Sequence, residues 1–123
     1  MKNFKSNIVG LLFTGMLTVF SMGAYAQSAK TVKGEVLDLS CYMDHGAKGN
    51  GHKMCAQGCL DKGLPAGILG ENGQIYLLLE DHKKSDEYKK AIKHAAEDVE
   101  VTGTIVDKGG VQAIVVEKVK VEG

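Results

Sequence analysis

Two long segments near the end of the chain largely alternate in polarity, and they leave it few options. Val99 to Asp107 (VEVTGTIVD) and Val111 to Val121 (VQAIVVEKVKV) are separated only by Lys108-Gly109-Gly110. A period of two belongs to a strand, and a glycine pair between two such runs turns the chain back on itself. A long antiparallel hairpin is expected here. A hairpin alone is marginal in water, so the rest of the chain must supply partner strands.

Partner strands are legible upstream. Val32 to Leu39 (VKGEVLDL) alternates well enough to be a first strand, with Gly34 a bulge or a point of close approach. Ala66 to Leu69 and Gln74 to Glu80 read as two strands joined at Glu71-Asn72-Gly73, where Asn-Gly is a strong hairpin signal. A helix capped by Ser85 or Asp86 runs to about Glu97, with Tyr88, Ala91 and Ile92 on one side and Lys89, Lys90 and Lys93 towards water. Ser40 to Gly51 carries three glycines and reads as a loop, and a short helix from about His52 to Lys62 ends at Gly63 and Pro65.

The resulting order is β-β-β-α-β-β, mainly β with one or two helices. It predicts an OB-fold-like barrel of five antiparallel strands, the alternative being an open α+β sheet built from the same elements. Val36, Ile75, Leu77, Ile92, Val101, Ile105 and Val115 are the expected core, and Tyr42 and Tyr76 are expected in the barrel wall.

Residues 1–26 are expected to be a cleaved signal peptide. Lys2 and Lys5 form a basic start, Ile8 to Phe20 an apolar stretch, and Ala24-Tyr25-Ala26 a small-x-small cleavage site. The remaining chain, 27–123, is then a single exported domain, periplasmic or secreted, with no stable membrane insertion. It would hold 13 Lys against 15 Asp plus Glu, and it contains no arginine. Bidentate phosphate or base recognition has no candidate residue, and nucleic acid is not an expected partner.

The chemistry is concentrated between residues 40 and 63. All three cysteines and two of the four histidines fall in the order Cys41-x3-His45-x6-His52-x2-Cys55-x3-Cys59. Thiolate and imidazole donors at this density suit zinc or copper. On a helix, His52, Cys55 and Cys59 share one stripe, and Cys41 and His45 close over it. Cys41, Cys55 and Cys59 with His52 or His45 are expected to form a tetrahedral site. An odd cysteine count in an exported protein also favours metal over a disulfide, which would leave one thiol spare. Met43 and Met54 flank the ligands and either extend a copper site or fill gaps. Asp44 is a candidate acceptor behind a ligating imidazole, whereas His82 and His94 are expected in solvent.

Other chemistries fit less well. Haem attachment needs a histidine after the second cysteine, and Leu60 stands there. Cys-x3-Cys is not the redox pair Cys-x2-Cys, and no Ser/His/Asp set, phosphate loop or paired catalytic carboxylate is present, so enzymatic activity is not expected. The readings that remain are a metal carrier or metal-stabilised module, a disulfide-stabilised barrel that binds a periplasmic protein partner, and a thiol redox protein.

Cys41-Tyr42, then His52-Lys53-Met54-Cys55-Ala56-Gln57-Gly58-Cys59, then Gly63-Leu64-Pro65-Ala66-Gly67-Ile68-Leu69, resembles a set of small exported bacterial proteins. They share a C-Y, H-x-x-C-A-x-x-C, G-x-P-x-G-[IL]-L pattern and a tyrosine-bearing strand, here Ile75-Tyr76-Leu77-Leu78. The resemblance implies a single exported domain with a Cys/His centre and brings no activity with it. Cys-x3-Cys beside a histidine is also similar to the ligand set of SCO-type copper chaperones, a likeness of chemistry and not of fold.

Overall fold

The computed structural model describes residues 28–123; the expected leader at 1–26, and Gln27, lie outside the described residues. Strands β1 (Lys30–Asp38), β2 (Ala66–Gly70), β3 (Ile75–Glu80), β4 (Asp98–Lys108) and β5 (Val111–Val121) close into a barrel in the order β1-β2-β3-β5-β4. Three helices join them: α1 (Leu39–His45) and α2 (Lys53–Asp61) between β1 and β2, and α3 (Ser85–Ile92) between β3 and β4. This is an OB-fold-like barrel with the Cys/His segment inserted between its first two strands. Among the described residues no helix is long and apolar enough to cross a membrane.

One seam corrects the expected all-antiparallel barrel. Four neighbouring pairs are antiparallel, but β3 and β5 run parallel, with Leu78 opposite Ile114. The α3 connection carries the chain from β3 across to β4, and the β4–β5 hairpin then reverses it. The closing strand therefore lies beside β3 in the same direction.

The core is built from alternate residues of all five strands. Val36, Ile68, Tyr76, Leu78, Val99, Val101, Ile114, Val116 and Val119 are buried, with Ala56 and Leu60 of α2 and Ala91 of α3 at the ends. Val36 and Val101 are where alternation predicts them, and Ile92 and Ile105 pack half-buried against the core. On β3 the expected face is the wrong one. Tyr76 and Leu78 point inwards, and Ile75 and Leu77 are half-buried in a cleft outside the barrel with Leu39 and Met43. Ile75 to Leu79 is apolar throughout, so only the pairing of Tyr76 with Ile68 selects the inner face. Val115 is likewise half-buried between the inward Ile114 and Val116. A bulge between Thr102 and Gly103 then shifts the phase, so that Val119 is the next buried residue of β5. Tyr76 donates its hydroxyl hydrogen to Gln74 Oε1 at 2.9 Å, whereas Tyr42 lies on α1 and not in the barrel wall.

Two glycines permit the barrel to close this tightly. A Cβ on Gly34 would lie 1.9 Å from the Leu69 carbonyl oxygen, and one on Gly103 would lie 1.9 Å from that of Val115. Gly34 is thus the expected point of close approach.

The helix expected to reach Glu97 stops at Ile92. Residues beyond it leave the helix to pair with β1: the Ala96 N–H donates to Val36 O at 2.8 Å, and the Val36 N–H donates to Glu97 O at 3.0 Å. Buried backbone groups of β1 need these partners more than the helix needs another turn. The turn places Ala96 at φ 59°, a left-handed conformation that side-chain-bearing residues seldom adopt.

Candidate metal centre

The segment expected to be a loop begins as a helix. Asp38, the last residue of β1, accepts the Ser40 N–H at 2.9 Å through Oδ1 and so caps α1. The Leu39 N–H donates to Pro65 O at 2.9 Å, which holds the start of α1 against the chain leaving α2. Gly46, at φ 71°, ends α1 and donates its N–H to Tyr42 O. The Gly49 N–H then donates to the Glu35 carboxylate, and a single 3-10 turn, Asn50–His52, leads into α2.

Helix α2 is fastened on two sides. Ala56 and Leu60 are buried in the barrel core. Gln57 bridges to the α3 end, its Nε2 donating to Ile92 O at 2.8 Å and its Oε1 accepting the Ala95 N–H at 3.2 Å. Lys53 forms an ion pair with Glu97, whose other oxygen lies 2.6 Å from His94 Nδ1. His94 is therefore paired rather than simply solvated. With Ala56 and Leu60 facing the core, Cys55 and Cys59 lie one position earlier on each turn and are turned towards α1.

The structure brings the three sulfurs together. Sγ of Cys41, Cys55 and Cys59 lie within 4.8 Å of one another, Cys55 exposed and the other two half-buried, and all three are free thiols. Thiolates bound tetrahedrally about 2.3 Å from zinc stand about 3.8 Å apart, so gathering them around one ion takes movements of about an ångström. A second group shares Cys41: its sulfur, an Asp38 carboxylate oxygen and a His52 ring nitrogen also lie within 4.8 Å of one another. These Cys/His/Asp groups could hold a metal ion.

His52 sits at the junction of the 3-10 turn and α2 and turns towards Asp38 and Cys41. His45 belongs to neither group. Its Nδ1 lies 3.1 Å from Asp44 Oδ2 in solvent, and its ring meets that of His52 edge-on at 6.3 Å. Asp44 thus accompanies His45, not a residue of either group. Met43 and Met54 are 73% and 91% exposed, so neither fills a gap in the core.

Asp38 is the residue that sequence reasoning missed. It is 1% exposed, and its Oδ2 is buried without a hydrogen-bond partner among the described residues, as is Nε2 of His52. The available signal was Asp38-Leu39-Ser40-Cys41: an acidic N-cap ahead of a helix that itself carries a cysteine. Reading 40–51 as a loop concealed it.

The electrostatics of the group are set by Asp38. Burial pushes its carboxyl up, but the Cys41 thiol, the Ser40 N–H and the Cys59 thiol outweigh that and hold it below the usual carboxylate range. The same carboxylate is the main cause that pushes the Cys41 thiol up to about 12, with desolvation second. Desolvation leads at Cys59, whose thiol is also raised, with Asp38 next. Both thiols therefore keep their protons at neutral pH, and a metal must displace them. Zinc uptake at pH 7 is expected to release at least two protons, so affinity rises about a hundredfold per pH unit and falls on acidification. Competition with a chelating dye at two pH values checks the slope. The metal-free fold should lose stability as pH climbs from the unfolded thiol range, about 8.5, towards 12, because folding favours the protonated thiols.

Gly58, between Cys55 and Cys59, would place a Cβ in open space, and its φ is not positive. Gly58→Ala is expected to raise stability by about 0.5–1 kcal/mol through helix propensity, measured by denaturant unfolding of the metal-free protein.

Comparison with protein-family models, with curated proteins and with solved structures finds no match for this chain.

Proposed function

We infer that this protein is an exported metal-binding module that takes up zinc or copper on Cys41, Cys55 and Cys59. The observation that carries the reading is the convergence of the three thiols, which come from two separate helices. Soft donors in this number select zinc or Cu(I) over harder ions. Transport to the periplasm or beyond follows from the leader-like residues 1–26, and the resemblance to small exported proteins supports the same compartment.

A carrier role is favoured over a purely structural one. The sulfurs lie outside the barrel's hydrophobic cluster, which closes on Ala56 and Leu60, so the barrel does not depend on a metal for its core. Cys55 is exposed at the edge of the site, where an incoming thiolate or thioether could exchange for it, and the exposed Met54 next to it in sequence supplies a soft surface contact.

The test is metal analysis and thiol titration of the protein purified aerobically without chelator. Bound zinc or copper, with three thiols that become reactive only when the metal is stripped, is the expected result. One disulfide, one free thiol and no metal would reject the carrier in favour of a disulfide-stabilised interaction domain. A dithiol that cycles reversibly with partner proteins would reject it in favour of a redox protein.

A further inference from the structure

We propose that the centre holds two metal ions, bridged by the Cys41 sulfur: one on Cys41, Cys55 and Cys59, the other on Asp38, Cys41 and His52. The proposal rests on the metal-binding reading of the three thiols and extends it. The two donor groups meet only at Cys41, and a thiolate sulfur has enough lone pairs to bind two ions at once.

Two observations point to a cation on the Asp38 side. Oδ2 of Asp38 and Nε2 of His52 are both buried without a hydrogen-bond partner among the described residues. The thiols of Cys41 and Cys59 are near enough to act on the carboxyl, yet neither completes a hydrogen bond to Oδ2. A buried acceptor atom left without a donor is costly even where its carboxylate as a whole is held in the charged form, and Asp38 is only 1% exposed. An acceptor oxygen and an imidazole nitrogen turned to the same place beside a sulfur are what a zinc-like ion binds.

Charge supports the count. Three thiolates and the Asp38 carboxylate carry four negative charges. One divalent ion leaves two of them uncompensated next to a buried carboxylate, and two divalent ions balance all four. Each ion then has three protein donors and one position open to solvent or to a donor from another molecule, which suits ions that are delivered and passed on.

Native mass spectrometry of the thiol-reduced protein titrated with zinc tests this on the wild type, Asp38→Asn and His52→Ala. Asparagine keeps a capping oxygen for α1, and His52→Ala leaves Asp38 in place, so the two variants remove the second donor set independently. Either one, folded by circular dichroism, is decisive. The expected result is two ions on the wild type and one on each variant. One ion on the wild type overturns the second position and leaves the three-thiol site standing. Two ions on either folded variant overturn the assignment to Asp38 and His52. No ion on any of them overturns both this proposal and the metal-binding function.

Discussion

Cys41→Ser is expected to weaken metal binding several hundredfold while the barrel still folds. A four-ligand structural zinc site is worth about 10–16 kcal/mol, so one thiolate is worth on the order of 3–4 kcal/mol. Cys41 is the one residue common to both donor groups, so the loss reaches the whole centre. It is half-buried on α1 and outside the hydrophobic cluster, and serine keeps a donor beside the buried Asp38 carboxylate, so metal-free stability should fall by no more than about 1.5 kcal/mol, the size of one hydrogen bond. Competition titration measures the first quantity and thermal melting of the chelated protein the second. Full occupancy retained in a Cys41→Ser, Cys55→Ser double variant would remove the cluster from consideration as a metal site.

The largest effect on stability is expected at Gly103. Gly103→Ala drives a methyl to 1.9 Å from the Val115 carbonyl oxygen, on the neighbouring strand of the β4–β5 hairpin. Neither strand can yield without breaking the ladder beside a bulge. A cost of about 3 kcal/mol or more follows, equivalent to a drop of roughly 12–24 °C in melting temperature for a domain this small. Gly34→Ala meets the Leu69 carbonyl at the same distance and should behave alike. A melting temperature within about 3 °C of wild type for Gly103→Ala, less than 1 kcal/mol on that scale, would contradict the close approach of the strands.

Much of the barrel was legible because its strands alternate or sit between clear turns. Val99 to Val121 announced the hairpin, and Asn72-Gly73 announced the β2–β3 turn. Direction and facing were less accessible. The parallel β3–β5 seam depends on where the α3 connection delivers β4, and no local pattern encodes that. The inward face of β3 was misjudged because Ile75, Tyr76, Leu77, Leu78 and Leu79 are all apolar, so register alone selects Tyr76 and Leu78. The end of α3 was set by the hydrogen-bonding needs of Val36, a residue far away in sequence.

At the centre, cysteine spacing was enough to expect Cys41, Cys55 and Cys59 together, and the geometry brings them together. The placing of His52 followed from a 3-10 turn that three glycines between 46 and 51 disguised as loop. Asp38 was hidden for a related reason. Its carboxylate is half committed to capping α1, and its other oxygen matters only once the helix is known to bring Cys41 back over the end of β1.

X-ray absorption at the metal edge of protein loaded with one equivalent of zinc tests the central claim most directly. Three thiolates on one ion predict a first shell dominated by sulfur at about 2.3 Å, reduced by one scatterer in Cys55→Ser. A first shell of nitrogen and oxygen alone at about 2.0–2.1 Å would contradict it.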